Sequence, residues 1–201
     1  MLLAAGRSRR MGAFKPLLPF GDRSVLEACV SNLQEAGVGE VVVVVGHRAE
    51  EVRAALADFG FVRFATNDEP ESEMGLSVAR GVEALDEGVG ATLVALVDHP
   101  AVPPSAIRSL IEARGRTGAR LVVPEWDGRG GHPVVVDATL REEILRVAPE
   151  RGLRAVFEAH RGEVLRVPSA SPFVARDMDT WDEYVTLHRE VFGHAPAGRQ
   201  R

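Results

Sequence analysis

Hydrophobic residues fall into two patterns along the chain, and each pattern predicts a different kind of element. The run VVVVV within residues 40–47 has no polar position between its valines. Such a run predicts a strand that is covered on both faces, as in a parallel sheet. Residues 24–36 instead place apolar side chains at helical spacing from Val25 to Leu33, and the pattern stops at Gly37, which predicts a helix.

The same two patterns alternate through the rest of the chain. A first strand of only about four residues precedes Gly6, shorter than the average strand of about 5–6 residues. It is either a short strand or one that lacks residues because the start was misassigned. The alternation predicts an α/β protein with three α/β/α layers around a Rossmann-like, mostly parallel sheet. The other predicted strands cover 61–66, 91–98, 119–126, 132–137 and 163–168, and the other predicted helices cover 49–59, 75–85, 103–114, 138–147, 152–160 and 179–192.

The chain contains no internal repeat, low-complexity tract or clear linker. We therefore expect one domain over residues 1–190. The last residues read GHAPAGRQR, and this composition predicts a flexible tail over 191–201.

Composition and charge narrow the class of protein. The 201 residues are 45% hydrophobic and 26% charged, with a formal net charge of -5, which is typical of a globular enzyme and argues against a nucleic-acid binder. The single cysteine, Cys29, excludes an internal disulfide and a cysteine-based zinc site, and it suits a reducing cytoplasm. No apolar run approaches the roughly 20 residues that span a membrane, so we expect no membrane partner.

The loop after the first strand carries a local basic cluster in this acidic chain. Ligands of open parallel sheets bind beyond the carboxyl ends of the strands, where this loop is expected. The small residues Ala4 to Gly6 would let a flat ligand approach the backbone. Ser8 and nearby amides can donate to phosphate oxygens, and Arg10 and Lys15 supply positive charge. The loop is either a phosphate cradle or a solvated basic turn.

Acidic residues follow two later elements. Asp98 ends the buried strand at 91–98, and Asp177 and Asp179 precede the last helix. Mg²⁺ is commonly held by one or two carboxylates together with substrate phosphates. Asp179 could instead be the N-cap of the last helix, and either Asp177 or Asp179 could be the second metal ligand.

The opening LLAAGRSRRMGAFKPLLPFGD resembles the signature L-A-A-G-x-S-x-R-M-G…K-x-L-L-P of the MobA-like nucleotidyltransferases. LAAG rather than LAGG is most similar to the molybdenum cofactor cytidylyltransferase branch. Further similar segments follow in the same order over residues 2–188: GHRAEEVRAAL, NDEPESEMGLSVARGVEAL, LVDHPAV, GRGGHPVVV and RDMDTWDEY.

The resemblance implies a Mg²⁺-dependent transfer of a nucleoside monophosphate, with CTP favoured, to a phosphorylated small molecule such as molybdopterin. Arg10, Lys15 and Asp98 would be the catalytic residues, and Asp98 and Asp179 would hold Mg²⁺. The nucleotide would contact Leu3, Ala4, Ala5, Gly6, Arg7, Ser8, Lys15, Asn67 and Ser77, and the acceptor would contact Gly131, His132 and Pro133.

The sequence also departs from this pattern. Glu73 and Leu76 stand where the family usually has Gly and Ser, Val97 where Gly is common, His99 replaces Gln, and Trp181 replaces Pro. His132 could also be a turn residue that starts a strand. Two alternatives therefore stay open: the same transfer to a sugar or alcohol phosphate, and a non-catalytic nucleotide-binding module that regulates a partner such as a molybdoenzyme maturation factor.

Overall fold

The computed structural model describes residues 1–69 and 72–196. Within them, the strands are β1 (Leu2–Leu3), β2 (Pro19–Phe20), β3 (Arg23–Ser24), β4 (Val41–Val45), β5 (Val62–Thr66), β6 (Ala91–Leu96), β7 (Leu121–Trp126), β8 (Arg129–Gly130), β9 (Val134–Asp137) and β10 (Val164–Pro168). The helices are α1 (Val25–Glu35), α2 (Ala49–Ala55), α3 (Met74–Glu83), α4 (Pro104–Thr117), α5 (Arg141–Arg146), α6 (Gly152–Ala159) and α7 (Trp181–Phe192).

The main sheet has the strand order β10-β7-β9-β6-β1-β4-β5, and β8 pairs with β7 at its end. β1 runs parallel to β4 and β6, β4 runs parallel to β5, and β7 runs parallel to β10. Only β9 within this seven-strand path is antiparallel to its neighbours, β6 and β7. The connection from β7 to β9 is a short hairpin, whereas a parallel crossover needs about a dozen residues or more. The predicted mostly parallel sheet is confirmed.

Alternate valines of β4 show why the sheet lies between two helical layers. Val41, Val43 and Val45 contact the core cluster that includes side chains of α1, α2 and α4. Val42 and Val44 contact the opposite cluster, with side chains of α3, α5 and α6. Successive side chains of a strand point to opposite faces, so an unbroken valine run supplies both cores. The three-layer α/β/α prediction is confirmed.

β1 is short and lies in the centre of the sheet. Its flanking residues extend the pairing, because the carbonyl of Met1 accepts from the Ala95 amide and the amide of Ala4 donates to the Val44 carbonyl. Leu2 is fully buried and Leu3 is 7% exposed. The loop that follows β1 therefore starts from the most enclosed part of the sheet.

The boundaries of several helices differ from the prediction: α4 ends at Thr117 rather than 114, α5 begins at Arg141 rather than 138, and α7 and α2 differ as well. α7 begins at Trp181, and its N-cap is Thr180, whose hydroxyl accepts from the Glu183 amide while the Glu183 side chain accepts from the Thr180 amide. This capping box excludes Asp179 as the cap. α2 ends at Ala55, before the predicted 59, and residues 56–58 form turns.

The expected tail falls partly within α7, which continues to Phe192. Beyond it, the Nδ1 of His188 donates to the His194 carbonyl oxygen at 2.8 Å, and Pro196 is buried. The rest of the predicted tail, 197–201, lies outside the described residues.

Candidate active site

The loop after β1 is organised by Ser8. Its backbone is left-handed, with φ 53°, and its carbonyl oxygen accepts from the Met11 amide at 3.1 Å. Its hydroxyl accepts from the Lys15 amide at 3.1 Å, at the start of the 3-10 helix Lys15–Leu17. Ser8 thus fixes the backbone of Lys15, while the predicted role of its hydroxyl toward phosphate remains a prediction.

Four charged side chains from three distant parts of the chain meet beside this loop. The ammonium nitrogen of Lys15 lies 2.9 Å from Asp179 Oδ1 and 3.5 Å from Asp98 Oδ2. The guanidinium of Arg10 lies 2.5 Å from Asp179 Oδ2. The Lys15 side chain is 8% exposed, whereas that of Arg10 is 73% exposed. Asp98 follows β6 and Asp179 precedes α7, so the two carboxylates approach Lys15 from different elements.

The environment of Asp98 stabilises its ionised form. Burial opposes ionisation, but a hydrogen bond from His99 and the charges of His99 and Lys15 outweigh it and lower the pKa of Asp98. The hydrogen bond joins His99 Nδ1 to Asp98 Oδ1 at 2.8 Å. Asp98 is therefore a carboxylate at neutral pH, as a metal ligand or a partner for Lys15 must be.

Asn67 closes the loop between β5 and α3. Its Nδ2 donates to the hydroxyls of Ser72 and Ser77, both at 2.9 Å. Its Oδ1 accepts from the Glu69 amide at 3.1 Å. Both hydrogens of the Asn67 amide group are used within the protein, so the side chain stabilises the loop between β5 and α3. Its contact with a base or ribose remains a prediction.

A cavity of about 450 Å³ contains most of the predicted nucleotide site. Ala4 does not line it, because its side chain is 1% exposed and lies in the core behind the loop. The lining also includes His47, Glu69 and Glu73, none of which was predicted as a site residue. His47 follows the carboxyl end of β4, which is next to β1 in the sheet. The rule that ligands bind beyond the carboxyl ends of parallel strands could therefore have predicted His47 as a site residue. The predicted residues in the lining are Leu3, Ala5, Gly6, Arg7, Ser8, Arg10, Lys15, Asn67, Ser77, Asp98 and Asp179.

A second cavity, of about 700 Å³, adjoins the first. Leu3, Glu73, Met74 and Leu96 line both cavities. Of the three predicted acceptor residues, Gly131 and His132 line the second cavity. The structure does not bring Pro133 to it.

Pro133 instead lines a small cavity beside Cys29 and His99. It is buried and directly precedes β9, and successive residues of an extended segment face opposite sides of a sheet. Cys29 is a buried, packed side chain, and burial raises the pKa of its thiol.

His132 is neutral at physiological pH. Burial, together with the nearby charge of His99, lowers its pKa to about 4. Its ring makes an edge contact with the His99 ring at a centroid distance of 5.3 Å. His132 therefore offers hydrogen bonds to the second cavity rather than a positive charge.

A family model described as a MobA-like NTP transferase domain matches residues 1–164. The chain belongs to this MobA-like NTP transferase family. The resemblance read from its motifs is confirmed, and the matched domain is of the predicted nucleotidyltransferase class.

Two curated proteins with different names are similar to this MobA-like chain. It is 31% identical over 179 residues to the bifunctional protein GlmU of Bordetella parapertussis, a match covering 85% of the chain and 38% of that relative. The chain thus spans well under half the length of this relative. It is also 30% identical over 194 residues to nicotine blue oxidoreductase of Paenarthrobacter nicotinovorans, covering 93% and 94% of the two chains.

Solved structures agree with the MobA-like fold. A nucleotidyl transferase from Methanothermobacter, Mth528, superimposes with a TM-score of 0.79 at 28% identity, over 94% of each chain. Rv0371C of Mycobacterium tuberculosis, solved as a complex with manganese, gives a TM-score of 0.77 at 27% identity, over 94% of this chain and 95% of that one.

The donor groups of this MobA-like site suit a hard divalent cation that also binds phosphate. In the part of the chain that the structure describes, no group of three or more His, Cys, Asp or Glu side chains could hold a metal by itself. Asp98 and Asp179 instead present two carboxylates around the ammonium of Lys15. Mg²⁺ commonly uses one or two protein carboxylates when phosphate oxygens complete its coordination shell. Asp177 does not line the cavity, so the arrangement favours Asp179 as the second ligand.

Within residues 1–69 and 72–196, no helix has the length and apolar character that crossing a bilayer requires.

Proposed function

We propose that the protein transfers a nucleoside monophosphate, with CTP as the favoured donor, to a phosphorylated small molecule such as molybdopterin and releases pyrophosphate. The observation that carries this proposal is the meeting of Lys15, Asp98 and Asp179 in a cavity that adjoins a second one. The reaction would take place in the cytoplasm, where the thiol of Cys29 stays reduced.

The residues of the first cavity have separate tasks in this reaction. The loop from Gly6 to Ser8 and the guanidinium of Arg10 hold the triphosphate by hydrogen bonds and charge. The Lys15 ammonium, a point charge on a flexible stem, stabilises the negative charge that develops on the α-phosphate oxygens in the transition state. An acceptor phosphate oxygen attacks the α-phosphorus in line with the departing pyrophosphate, and no covalent enzyme intermediate is needed.

Asp98 and Asp179 would hold the Mg²⁺ ion, which when bound neutralises phosphate charge. The hydrogen bond from His99 orients Asp98. The capping box of α7 fixes the backbone just after Asp179, since the side chain of Glu183 accepts from both the Asp179 and the Thr180 amides. Both carboxylates are thus held before any ligand arrives.

The second cavity would receive the acceptor. Backbone hydrogen bonds fix its rim, because the Gly131 amide donates to the Pro124 carbonyl at 2.9 Å and the His132 amide donates to that of Val174 at 2.8 Å. Since His132 is neutral and most of the lining side chains are apolar, the cavity suits an acceptor with a large uncharged body.

Pyrophosphate release tests the proposal directly. CTP, GTP, ATP and UTP would each be supplied with Mg²⁺, with and without molybdopterin. Release that requires both CTP and molybdopterin is expected. Release with a sugar or alcohol phosphate in place of molybdopterin would favour the alternative acceptor, and no release with any acceptor would favour a nucleotide-binding regulatory module.

The likeness to nicotine blue oxidoreductase over nearly the whole of both chains favours a second candidate function. In this candidate, the loop after β1 would hold the diphosphate of a reduced dinucleotide, and the apolar second cavity would hold a conjugated heterocycle that accepts the hydride. The same protein preparation would be mixed with NADH or NADPH and a quinoid dye. Loss of absorbance at 340 nm without pyrophosphate release from any nucleotide would favour this candidate.

A further inference from the structure

All four carboxylate oxygens of the proposed metal ligands already have partners within the protein. Asp98 Oδ1 accepts from His99 at 2.8 Å, and Asp98 Oδ2 faces the ammonium of Lys15 at 3.5 Å. Asp179 Oδ1 accepts from Lys15 at 2.9 Å, and Asp179 Oδ2 accepts from Arg10 at 2.5 Å. The charges of Lys15 and Arg10 balance the two carboxylates, so the position between them holds a cation without any metal.

Lys15 is the only lysine in the chain, while the other 23 basic side chains are arginines. Its backbone is fixed by Ser8, but its ammonium sits at the end of a flexible four-carbon stem. An arginine in its place would grip a carboxylate through a planar fork of donors. A lysine can leave the carboxylates without moving the loop.

A divalent ion and the Lys15 ammonium cannot share this position without strong repulsion. Charges about 4 Å apart interact appreciably even in water, and more strongly where the surroundings are partly buried. A triphosphate in the same cavity brings new negative charge within reach of Lys15 and Arg10. Both cations then have anionic partners elsewhere, and the carboxylates become available.

We infer that the Lys15 ammonium occupies the metal position in the nucleotide-free protein, and that a divalent ion binds strongly only when a triphosphate draws Lys15 away. This inference deepens the proposed function and rests on its assignment of Asp98 and Asp179 as metal ligands. It makes metal binding and nucleotide binding mutually dependent, since coupling between two sites is reciprocal.

Mn²⁺ is a suitable probe, because its electron paramagnetic resonance signal in solution falls as it binds. Binding of Mn²⁺ would be measured for the full chain with and without a non-hydrolysable CTP analogue. The variants are Lys15→Met and, as a matched control, Arg63→Met. Arg63 also lies between two carboxylates, bonding to Glu40 at 2.7 Å and to Asp86 at 3.2 Å, but on an exposed surface outside both cavities.

Without nucleotide, Lys15→Met is expected to bind Mn²⁺ at least about tenfold more tightly than the wild type, and Arg63→Met is expected to match the wild type. The analogue should tighten Mn²⁺ binding in the wild type and do so far less in Lys15→Met. Equal Mn²⁺ affinity of the wild type and Lys15→Met without nucleotide would overturn the inference, provided that circular dichroism shows both to be folded.

A double variant establishes where the added Mn²⁺ binds. In Lys15→Met with Asp179→Asn, the gain in affinity is expected to disappear, and a gain that persists would overturn the inference. The nucleotide-free measurements decide the inference even if pyrophosphate release fails. Pyrophosphate release in turn can succeed when the Mn²⁺ affinities are equal, so the two failures are distinguishable.

Discussion

Asp179 contacts two cations that differ sharply in burial, and this difference predicts different contributions to stability. The Lys15 side chain is 8% exposed and that of Arg10 is 73% exposed, although both lie within 2.9 Å of the same carboxylate. Asp179→Asn keeps the size of the side chain and removes its charge. Combining it with Lys15→Met or with Arg10→Gln gives two double-mutant cycles on one shared residue.

The expected coupling energies follow from the geometry. An exposed ion pair contributes about 0.2–1 kcal/mol, so we expect about 0.5 kcal/mol or less between Arg10 and Asp179. Neighbouring residues in one buried network couple by about 0.5–3 kcal/mol. Because the Lys15 side chain is buried, we expect about 1–3 kcal/mol between Lys15 and Asp179, even though Lys15 keeps Asp98 as a partner when Asp179 is neutralised. For a protein of this size, about 1 kcal/mol corresponds to a change of about 2–4 °C in Tm.

The assay is urea unfolding followed by circular dichroism in buffer that contains a chelator, so that no divalent ion occupies the site. The free energy of unfolding is measured for the wild type, the three single variants and the two double variants. A coupling between Lys15 and Asp179 no larger than that between Arg10 and Asp179 would refute the buried, charge-balanced cluster.

Three further predictions test other parts of the structure. Asp98→Asn should lower the rate of pyrophosphate release by about 10²–10³-fold, as for loss of one group that stabilises transition-state charge, with a far-ultraviolet circular dichroism spectrum like that of the wild type. Gly131→Ala should lower the free energy of unfolding by more than about 2 kcal/mol, because the added Cβ would lie 1.9 Å from the backbone carbonyl oxygen of Val174. A Cβ added at Gly162 meets nothing within 4 Å, so Gly162→Ala should change the free energy of unfolding by less than about 0.5 kcal/mol. His132 has a folded-state pKa of about 4 against an ordinary value of 6.5, so the unfolded chain binds more protons than the folded chain between these pH values. The free energy of unfolding should therefore fall as pH drops from about 6.5 to about 4, and the urea midpoint of His132→Asn should fall less over the same range.

The layers of the fold were predictable because buried side chains repeat with a fixed period. Five consecutive valines in β4 can only be buried if helices cover both faces of the sheet, and the structure has helices on both. The antiparallel direction of β9 was not predicted, because Val134–Asp137 has the same apolar pattern as a parallel strand. Its direction depends on the hairpin that precedes it.

The site was predictable where motif residues follow the ends of strands. Asp98 and the loop containing Lys15 follow neighbouring strands of the sheet, β6 and β1, and the geometry of parallel strands brings them together. The approach of Asp179 was not derivable from periodicity, since it depends on how α7 packs through Tyr184 and Leu187 against Met11 and Phe20. The motif resemblance supplied that residue.

Side-chain direction accounts for the residues that were misplaced. Ala4 and Pro133 belong to the quoted motifs, but each sits on the side of its segment that faces away from the two cavities. A motif identifies a segment, and the alternation of the extended chain decides which of its side chains reach the ligand.

The central claim is that one cavity holds a triphosphate and a divalent ion together, with Asp98 and Asp179 on the ion. A crystal structure of the protein with Mn²⁺ and a non-hydrolysable CTP analogue, with anomalous diffraction data, tests it most directly. The expected result is an anomalous peak within ligand distance of both carboxylates, with the Lys15 ammonium against the phosphates. A peak elsewhere, or a nucleotide bound outside this cavity while Lys15 still contacts Asp179, would contradict it.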